Sequence, residues 1–161
     1  MIRWVAVATC VLLSTDASAR TWHISVDGSG EAPTIQAGID SAAGGDTVLV
    51  GPGTYLENLS ILGKDLVLKS KQGSAVTTLD GSARQETVIR LSGQTRATIV
   101  EGFTITGGAG HLRDSILMGG GAYLDSGSSA IIQANRFADN GAYYGGAIRS
   151  EERRVGKECR L

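Results

Sequence analysis

The stretch VEGFTIT at residues 100–106 decides the fold, because it recurs as IQANRFA at residues 132–138. At a spacing of 32 residues, Val100 and Ile105 fall on apolar residues and Glu101 and Thr104 on polar residues. Such alternation over a short run is typical of a half-buried strand. Repeated strand-length units indicate a stack in which each unit is too small to bury its own apolar face. The equivalent pairs are Val100 with Ile132, Glu101 with Gln133, and Ile105 with Phe137.

Similar runs of β-branched and aliphatic residues recur along the chain, separated by Gly, Asp, Asn and Ser. Their length is that of strands rather than helices. A second repeat aligns GGAYL at residues 120–124 with GGAI at residues 145–148, at a spacing of 25. The longer spacing of 32 therefore indicates an insertion, AGHLRDSILM at residues 109–118. The other runs are TVLV at 47–50, LVLK at 66–69, TVIRL at 87–91, TIV at 98–100, FTIT at 103–106, AYL at 122–124 and AIIQ at 130–133.

One segment has a helical pattern, PTIQAGIDSAA at residues 33–43. Pro33 suits a first helical turn, Ile35 and Ile39 lie on one face, and the glycine pair that begins at Gly44 ends the helix. Because the end of a strand stack must be covered, we interpret this helix as an N-terminal cap. The alternative, a βαβ crossover, would require further helices, and no second helical pattern follows.

The composition excludes several classes of protein. A net charge of −1 with scattered Lys and Arg provides no basic stripe for nucleic acid. With 42% hydrophobic and 19% charged residues, the chain does not have the profile of a disordered protein. The 161 residues correspond to one domain at most. Glycine, at 23 residues, is about twice as frequent as its ordinary share of about 7%, which predicts frequent tight turns.

Residues 1–19 have the pattern of a secretory signal peptide, with basic Arg3, an apolar stretch and small residues before the cleavage site. The apolar stretch is shorter than the roughly 20 residues that a transmembrane anchor needs. Cys10 is poorly placed for a lipoprotein anchor. We therefore expect an exported protein, secreted, periplasmic or at an outer-membrane surface, with no transmembrane segment in this fragment and a folded domain at residues 20–148.

Residues 149–161, RSEERRVGKECRL, differ in character from the rest, since eight of the thirteen are charged. They resemble the in-frame translation of a common sequencing-adapter oligonucleotide, and the simpler alternative is a solvated charged tail. On the adapter interpretation the tail is artefactual and the natural chain continues past Ile148. Residues 20–148 contain no cysteine, so packing rather than disulfides must stabilise them.

The stretch DGSGEAPTIQAGIDSAAGGDTVLVGPGTYLENLSI at residues 27–61 resembles the opening of secreted right-handed parallel β-helix proteins of the pectin-lyase-like group. The resemblance implies that each coil contributes three short strands to three parallel sheets around a narrow apolar core. The expected fold is therefore all-β, a right-handed parallel β-helix (a pectin-lyase-like solenoid) with an N-terminal capping α-helix. This chain would be its incomplete, N-terminal portion.

Short motifs resemble two subfamilies with different functions. DGSGEAPTIQAGI at residues 27–39 and GTYLE at residues 53–57 resemble blocks of pectin methylesterases, whose catalytic aspartates and oxyanion glutamines have no counterpart here. FADN at residues 137–140 and GGAI at residues 145–148 resemble repeats of polymorphic outer-membrane proteins, which are surface-displayed adhesins. Carboxylate catalysis needs two acids with shifted pKa values at one point, and no such pair can be assigned.

Six residues are candidates for ligand binding. Three of them lie in the insertion at residues 109–118, and insertions in solenoids often form a binding rim. Tyr55 and Tyr123 could stack on sugar rings, as could Tyr143 and Tyr144. Glu57 is typical of the family. The alternatives are a solvated loop, aromatic rings that cover strand ends, and a structural carboxylate. The six are Tyr55, Glu57, His111, Arg113, Asp114 and Tyr123.

No cofactor or metal site is predicted. Asp80, Asp125 and Asp139 could ligate Ca²⁺, but that cation needs about six to eight converging oxygens. Aspartates beside Gly or Asn more commonly form turns. Asn58-Leu59-Ser60 is a glycosylation sequon if the source is eukaryotic.

Taken together, these patterns predict a secreted or cell-surface β-helix scaffold that recognises polysaccharide or another cell surface. The alternative is the N-terminal part of a polysaccharide-degrading enzyme, such as a pectate lyase, polygalacturonase or pectinesterase, whose catalytic coils lie downstream. A purely structural spacer is a third possibility.

Overall fold

A computed structural model of the chain describes residues 18–113 and 115–151. Residues 1–17 of the predicted signal peptide, the candidate Asp114, and residues 152–161 of the predicted tail lie outside the described residues. Strands dominate the described part, which contains one short helix. The elements are β1 Thr21–Ile24, α1 Ile35–Ser41, β2 Thr47–Val50, β3 Gly53–Tyr55, β4 Leu59–Leu62, β5 Val67–Ser70, β6 Thr77–Asp80, β7 Ile89–Ser92, β8 Ile99–Glu101, β9 Thr104–Thr106, β10 His111–Arg113, β11 Ile116–Met118, β12 Ala122–Leu124, β13 Ile131–Gln133, β14 Arg136–Phe137 and β15 Ile148–Ser150.

All the strands except β10 and β11 form three parallel sheets. The first has the order β1-β2-β5-β8-β13, the second β14-β9-β6-β3, and the third β15-β12-β7-β4. From β2 onward the chain visits the first, second and third sheet in turn and then returns to the first. We call one such visit to all three sheets a round. The described part of the chain is therefore mostly β, and each strand of the three sheets is hydrogen-bonded to the equivalent strand of a neighbouring round.

The repeat at residues 100–106 and 132–138 is confirmed by the strand pairing. β8 pairs with β13 and β9 pairs with β14, both in parallel. Each equivalence read from the sequence is a pair of neighbouring residues in a sheet. The pairs are Val100 with Ile132, Glu101 with Gln133, and Ile105 with Phe137.

The second repeat, by contrast, has a register that differs by one residue from the register that the sequence predicts. β12 pairs with β15 such that Ala122 lies beside Ile148, a spacing of 26 rather than 25. Gly119 and Gly145 have φ values of 60° and 66°, in the left-handed region that favours glycine. These two glycines are therefore the equivalent positions, at the turns that precede β12 and β15. Three consecutive glycines begin at Gly119 but only two begin at Gly145. An alignment that matches Gly-Gly-Ala in both segments is therefore shifted by one residue.

Aliphatic residues at equivalent positions line the core in ladders that cross successive rounds. In the first sheet, Val48, Leu68 and Val100 are each 0% exposed and adjoin one another across β2, β5 and β8. Full burial of one such side chain stabilises the fold by about 1.5–3 kcal/mol. Ile132 continues the ladder in β13 and is only partly buried.

The helix α1 covers one end of this core. Thr34 is its N-cap, with a side-chain oxygen that accepts a hydrogen bond from the Ala37 N–H, so the helix begins two residues later than the predicted start at Pro33. Ile35 and Ile39 are buried against the strands, as their spacing predicts. The helix contacts β1, β2 and β4.

The predicted insertion forms an antiparallel hairpin, β10 paired with β11, between the second and third sheets of its round. Ser115, at its tip, has a φ of 66°, in the left-handed region. Where the chain leaves and re-enters the parallel sheets, the backbone is close-packed: a Cβ on Gly108 would overlap the carbonyl oxygen of Gly120. Glycine is therefore required at the base of the hairpin.

Candidate functional site

The candidate site lies on the outer face of the third sheet, where β7 and β12 adjoin. Along β7, Ile89 and Leu91 are buried in the core, so the intervening Arg90 points outward. Arg90 adjoins Tyr123 of β12 in the sheet register, and Tyr123 therefore occupies an outward-facing position. The residues that follow β12 add Asp125 to this face.

Tyr123 is 0% exposed in spite of its outward position, because the hairpin folds over it. The ring of His111 lies 4.9 Å from the ring of Tyr123, centroid to centroid. Arg113 Nη1 donates a hydrogen bond of 3.1 Å to the Tyr123 hydroxyl. The structure thus brings three of the predicted candidates together, but their contacts join the hairpin to the sheet.

Arg90 and Asp125 form an ion pair next to this contact, with 2.9 Å between Arg90 Nη2 and Asp125 Oδ2. Partial burial disfavours ionisation of Asp125, but hydrogen bonds from Arg90 and Ser92 outweigh it and hold the pKa below its usual range. Burial, and then the charge of Arg90, lower the pKa of His111, which favours the neutral imidazole. Sequence reasoning missed this ion pair, since its partners are 35 residues apart.

The candidates Tyr55 and Glu57 lie in an earlier round. Tyr55 is 5% exposed, and its hydroxyl donates a 3.0 Å hydrogen bond to the Gly51 carbonyl. Burial raises the pKa of Tyr55. Glu57 accepts hydrogen bonds of 3.0 and 2.9 Å from the N–H groups of Ile35 and Gln36, at the start of α1. Both side chains make structural contacts in this arrangement.

A cleft of about 410 Å³ opens beside the hairpin tip. Tyr143 is 76% exposed and Tyr144 46% exposed, and their rings meet edge to face with centroids 4.8 Å apart. Among the tyrosines of the described residues, these two have ring surface to offer a ligand, whereas Tyr55 and Tyr123 are buried. The cleft is lined by Ser115, Ile116, Leu117, Tyr143 and Tyr144.

Within the described residues, no group of three or more His, Cys, Asp or Glu side chains is arranged to hold a metal ion. Asp80 accepts a hydrogen bond from the Ser82 N–H, 2.9 Å long, as in an Asx turn. Asp139 has a φ of 51°, also typical of a turn. In the same part of the chain, no helix is both long and apolar enough to cross a membrane.

Fold and site together define a mostly-β protein of parallel sheets, with a hairpin and an aromatic cleft on its outer surface. The chain is similar to a cell surface glycoprotein of Methanothermus fervidus, with 32% identity over 118 residues. The match includes 70% of this chain and spans only 17% of the length of that glycoprotein. No family model matches the chain, and no solved structure matches it.

Proposed function

We propose that the chain belongs to an exported, right-handed parallel β-helix that acts at the cell surface as a recognition scaffold for polysaccharide or another surface. The main support is the fixed order in which the chain visits three parallel sheets, as a β-helix requires. The similarity to a cell surface glycoprotein supports the location. Stacked rounds are well suited to this role because they present a long, regular face.

The outer face of the first sheet illustrates such a regular surface. Lys69, Glu101 and Gln133 occupy the same position in β5, β8 and β13. Lys69 Nζ lies 2.5 Å from Glu101 Oε1, and Gln133 Nε2 donates a 2.6 Å hydrogen bond to Glu101 Oε2. We call these three residues the polar ladder. A face of this kind is solvated and ordered, as a scaffold at a surface needs.

Glu101, on the outer face of the first sheet, and Asp125, on the outer face of the third sheet, are poorly suited to act as general acids. Hydrogen bonds from Lys69 and Gln133 lower the pKa of Glu101, and that of Asp125 is also lowered. A general acid needs a raised pKa so that it carries a proton near neutral pH. Glu101 and Asp125 are therefore not candidates for a general acid, and the alternative function, a polysaccharide-degrading enzyme, requires catalytic residues in coils downstream of this chain.

Cosedimentation tests the recognition function. The purified chain is mixed with insoluble polysaccharides and with whole cells of the source and of unrelated species, and the pelleted fraction is measured. We expect the folded chain to pellet with at least one of these surfaces, and the thermally unfolded chain serves as the control. A folded chain that stays in the supernatant with every surface would contradict the proposal.

A further inference from the structure

We propose that the cleft between the hairpin tip and the Tyr143–Tyr144 pair binds a neutral saccharide through one pyranose ring. This inference deepens the proposed recognition function and rests on it. The ligand class follows from the exposure, the geometry and the charge of the cleft.

Exposure separates these tyrosines from the others in the chain. Tyr55 and Tyr123 are 5% and 0% exposed, whereas Tyr143 is 76% exposed. Leu117, in the opposite wall of the cleft, is also 38% exposed. Exposed apolar surface that is gathered in a concavity marks a binding site more often than scattered exposed residues do.

The backbone holds the two walls of the cleft together. The N–H groups of Tyr143 and Tyr144 both donate to the carbonyl oxygen of Leu117, at 2.9 and 3.2 Å. The N–H of Gly119 donates in return to the Tyr144 carbonyl, at 2.9 Å. A site that is already ordered loses less conformational entropy when it binds.

The orientation of the rings suits a sugar. Because the two rings are 83° apart, they form a corner rather than a flat platform. A pyranose has an apolar face of C–H groups, which can pack on a tyrosine ring, and hydroxyls around its rim. The Ser115 hydroxyl and the phenol groups provide hydrogen-bonding partners for that rim.

The charge of the lining indicates a neutral ligand. None of the five lining side chains carries a charge at neutral pH. A uronate or sulfated sugar would need a cation, and Arg113 is engaged with the Tyr123 hydroxyl. The guanidinium carbon of Arg149 lies 5.9 Å from the centre of the Tyr144 ring, and Arg149 is not among the residues that line the cleft. A volume of about 410 Å³ is at the small end of ligand sites, which suits one or two sugar rings.

Affinity electrophoresis of the chain tests this inference. Native gels contain a neutral polysaccharide, hydroxyethyl cellulose or mannan, or the acidic polygalacturonate. We expect retardation in a neutral gel, weakened about tenfold by Tyr143→Ala and by Tyr144→Ala. Tyr143→Phe keeps the ring but removes the phenol hydroxyl, so it should weaken binding less than Tyr143→Ala does. Leu56→Ala, which removes an exposed apolar side chain outside the cleft, should retain binding.

The outcomes separate this inference from the proposed function. If the chain binds a polysaccharide or a cell surface and the alanine variants bind equally well, the cleft is not the site, although the recognition function stands. Stronger retardation by polygalacturonate than by every neutral polymer would overturn the ligand class. If the folded chain binds no polysaccharide and no cell surface, both proposals fail.

Discussion

Glu57 and Lys64, at the scale of single residues, attach the helix α1 to the first round of strands. The Glu57 carboxylate accepts hydrogen bonds from the first N–H groups of α1. Lys64 Nζ donates to the carbonyl oxygens of Ile39 and Ala42, at 2.5 and 2.8 Å, at the other end. An anion at the N-terminus and a cation at the C-terminus satisfy unpaired backbone groups and complement the helix dipole.

We predict that Glu57→Ala destabilises the fold by about 1 kcal/mol, because two N–H groups of α1 lose their acceptor. The melting temperature should fall by about 3–5 °C. Glu86→Ala, which removes an exposed glutamate, is the matched control and should melt like the unmodified chain. Equal melting of all three proteins would show that Glu57 does not stabilise the helix.

Asn58 is the acceptor of the glycosylation sequon, yet its amide is used inside the fold. Asn58 Nδ2 donates to the carbonyl oxygens of Gly81 and Thr87, at 3.3 and 3.0 Å. Asn58 Oδ1 is buried as well. A glycan is joined through this same nitrogen, so its attachment would break contacts that connect β4 to the following round.

We therefore predict that the folded chain, secreted from a eukaryotic host, carries an unmodified Asn58. Mass spectrometry of the peptide that contains Asn58 measures the occupancy. A glycosylated protein with an unchanged melting curve would disprove this account of the amide. A protein glycosylated there is expected to melt earlier or to be retained in the cell.

At the scale of elements, the polar ladder across β5, β8 and β13 makes the free energy of unfolding depend on pH. The hydrogen bonds that Glu101 accepts lower its pKa below the ordinary value of 4.5. Its stabilising effect is therefore fully present above the unfolded-state pKa and is lost as the pH falls through the folded-state pKa. We expect the free energy of unfolding to decline below about pH 4.5.

The variant Glu101→Gln isolates this contribution from those of other carboxylates. It cannot titrate, so the stability difference between the two proteins should shrink as the pH is lowered from 6 to about 3. Chemical denaturation at each pH measures the difference. A difference that is constant over this range would contradict the assigned role of Glu101.

The burial of a side chain in a strand predicts how much its replacement by alanine lowers the free energy of unfolding. Ile105 is 0% exposed between Leu79 and Phe137, so Ile105→Ala should destabilise the fold by about 2–5 kcal/mol. Ile131 is 39% exposed in β13, and Ile131→Ala should cost less than about 1 kcal/mol. Chemical denaturation compares the two variants, and similar costs would contradict the assignment of inward and outward faces.

The strands were predictable from the sequence because period-2 alternation encodes which face is buried. Ile105 and Phe137 were matched correctly across 32 residues for this reason. The register at Gly119 and Gly145 was not predictable, since glycines carry no side-chain pattern and only their backbone angles identify the equivalent pair.

The candidate site was less predictable, because it depends on how the hairpin packs against the sheet and not on the alternation along a strand. His111 and Arg113 are predicted to contact a ligand, and no signal in the sequence indicates that the hairpin places both side chains against Tyr123. Tyr143 and Tyr144 have no sequence signal that separates them from the buried tyrosines. Their exposure follows only from the path of the backbone past the hairpin.

The parallel stacking of the rounds, at the scale of the whole molecule, is the claim on which both proposals depend. It places Lys69 and Gln133, 64 residues apart in sequence, two strands apart in one sheet. Neighbouring strands are about 4.8 Å apart, so the two backbones should be separated by about 10 Å. Both side chains are exposed and accept a label without disturbing the core.

Dipolar broadening between spin labels tests this claim most directly. The labels are attached to Lys69→Cys and Gln133→Cys in a chain whose own cysteines are replaced by serine, and dilution with unlabelled chain removes intermolecular broadening. We predict a strongly broadened spectrum, as a separation of about 10 Å requires. A spectrum equal to the sum of the two singly labelled proteins would contradict the stacked parallel sheets.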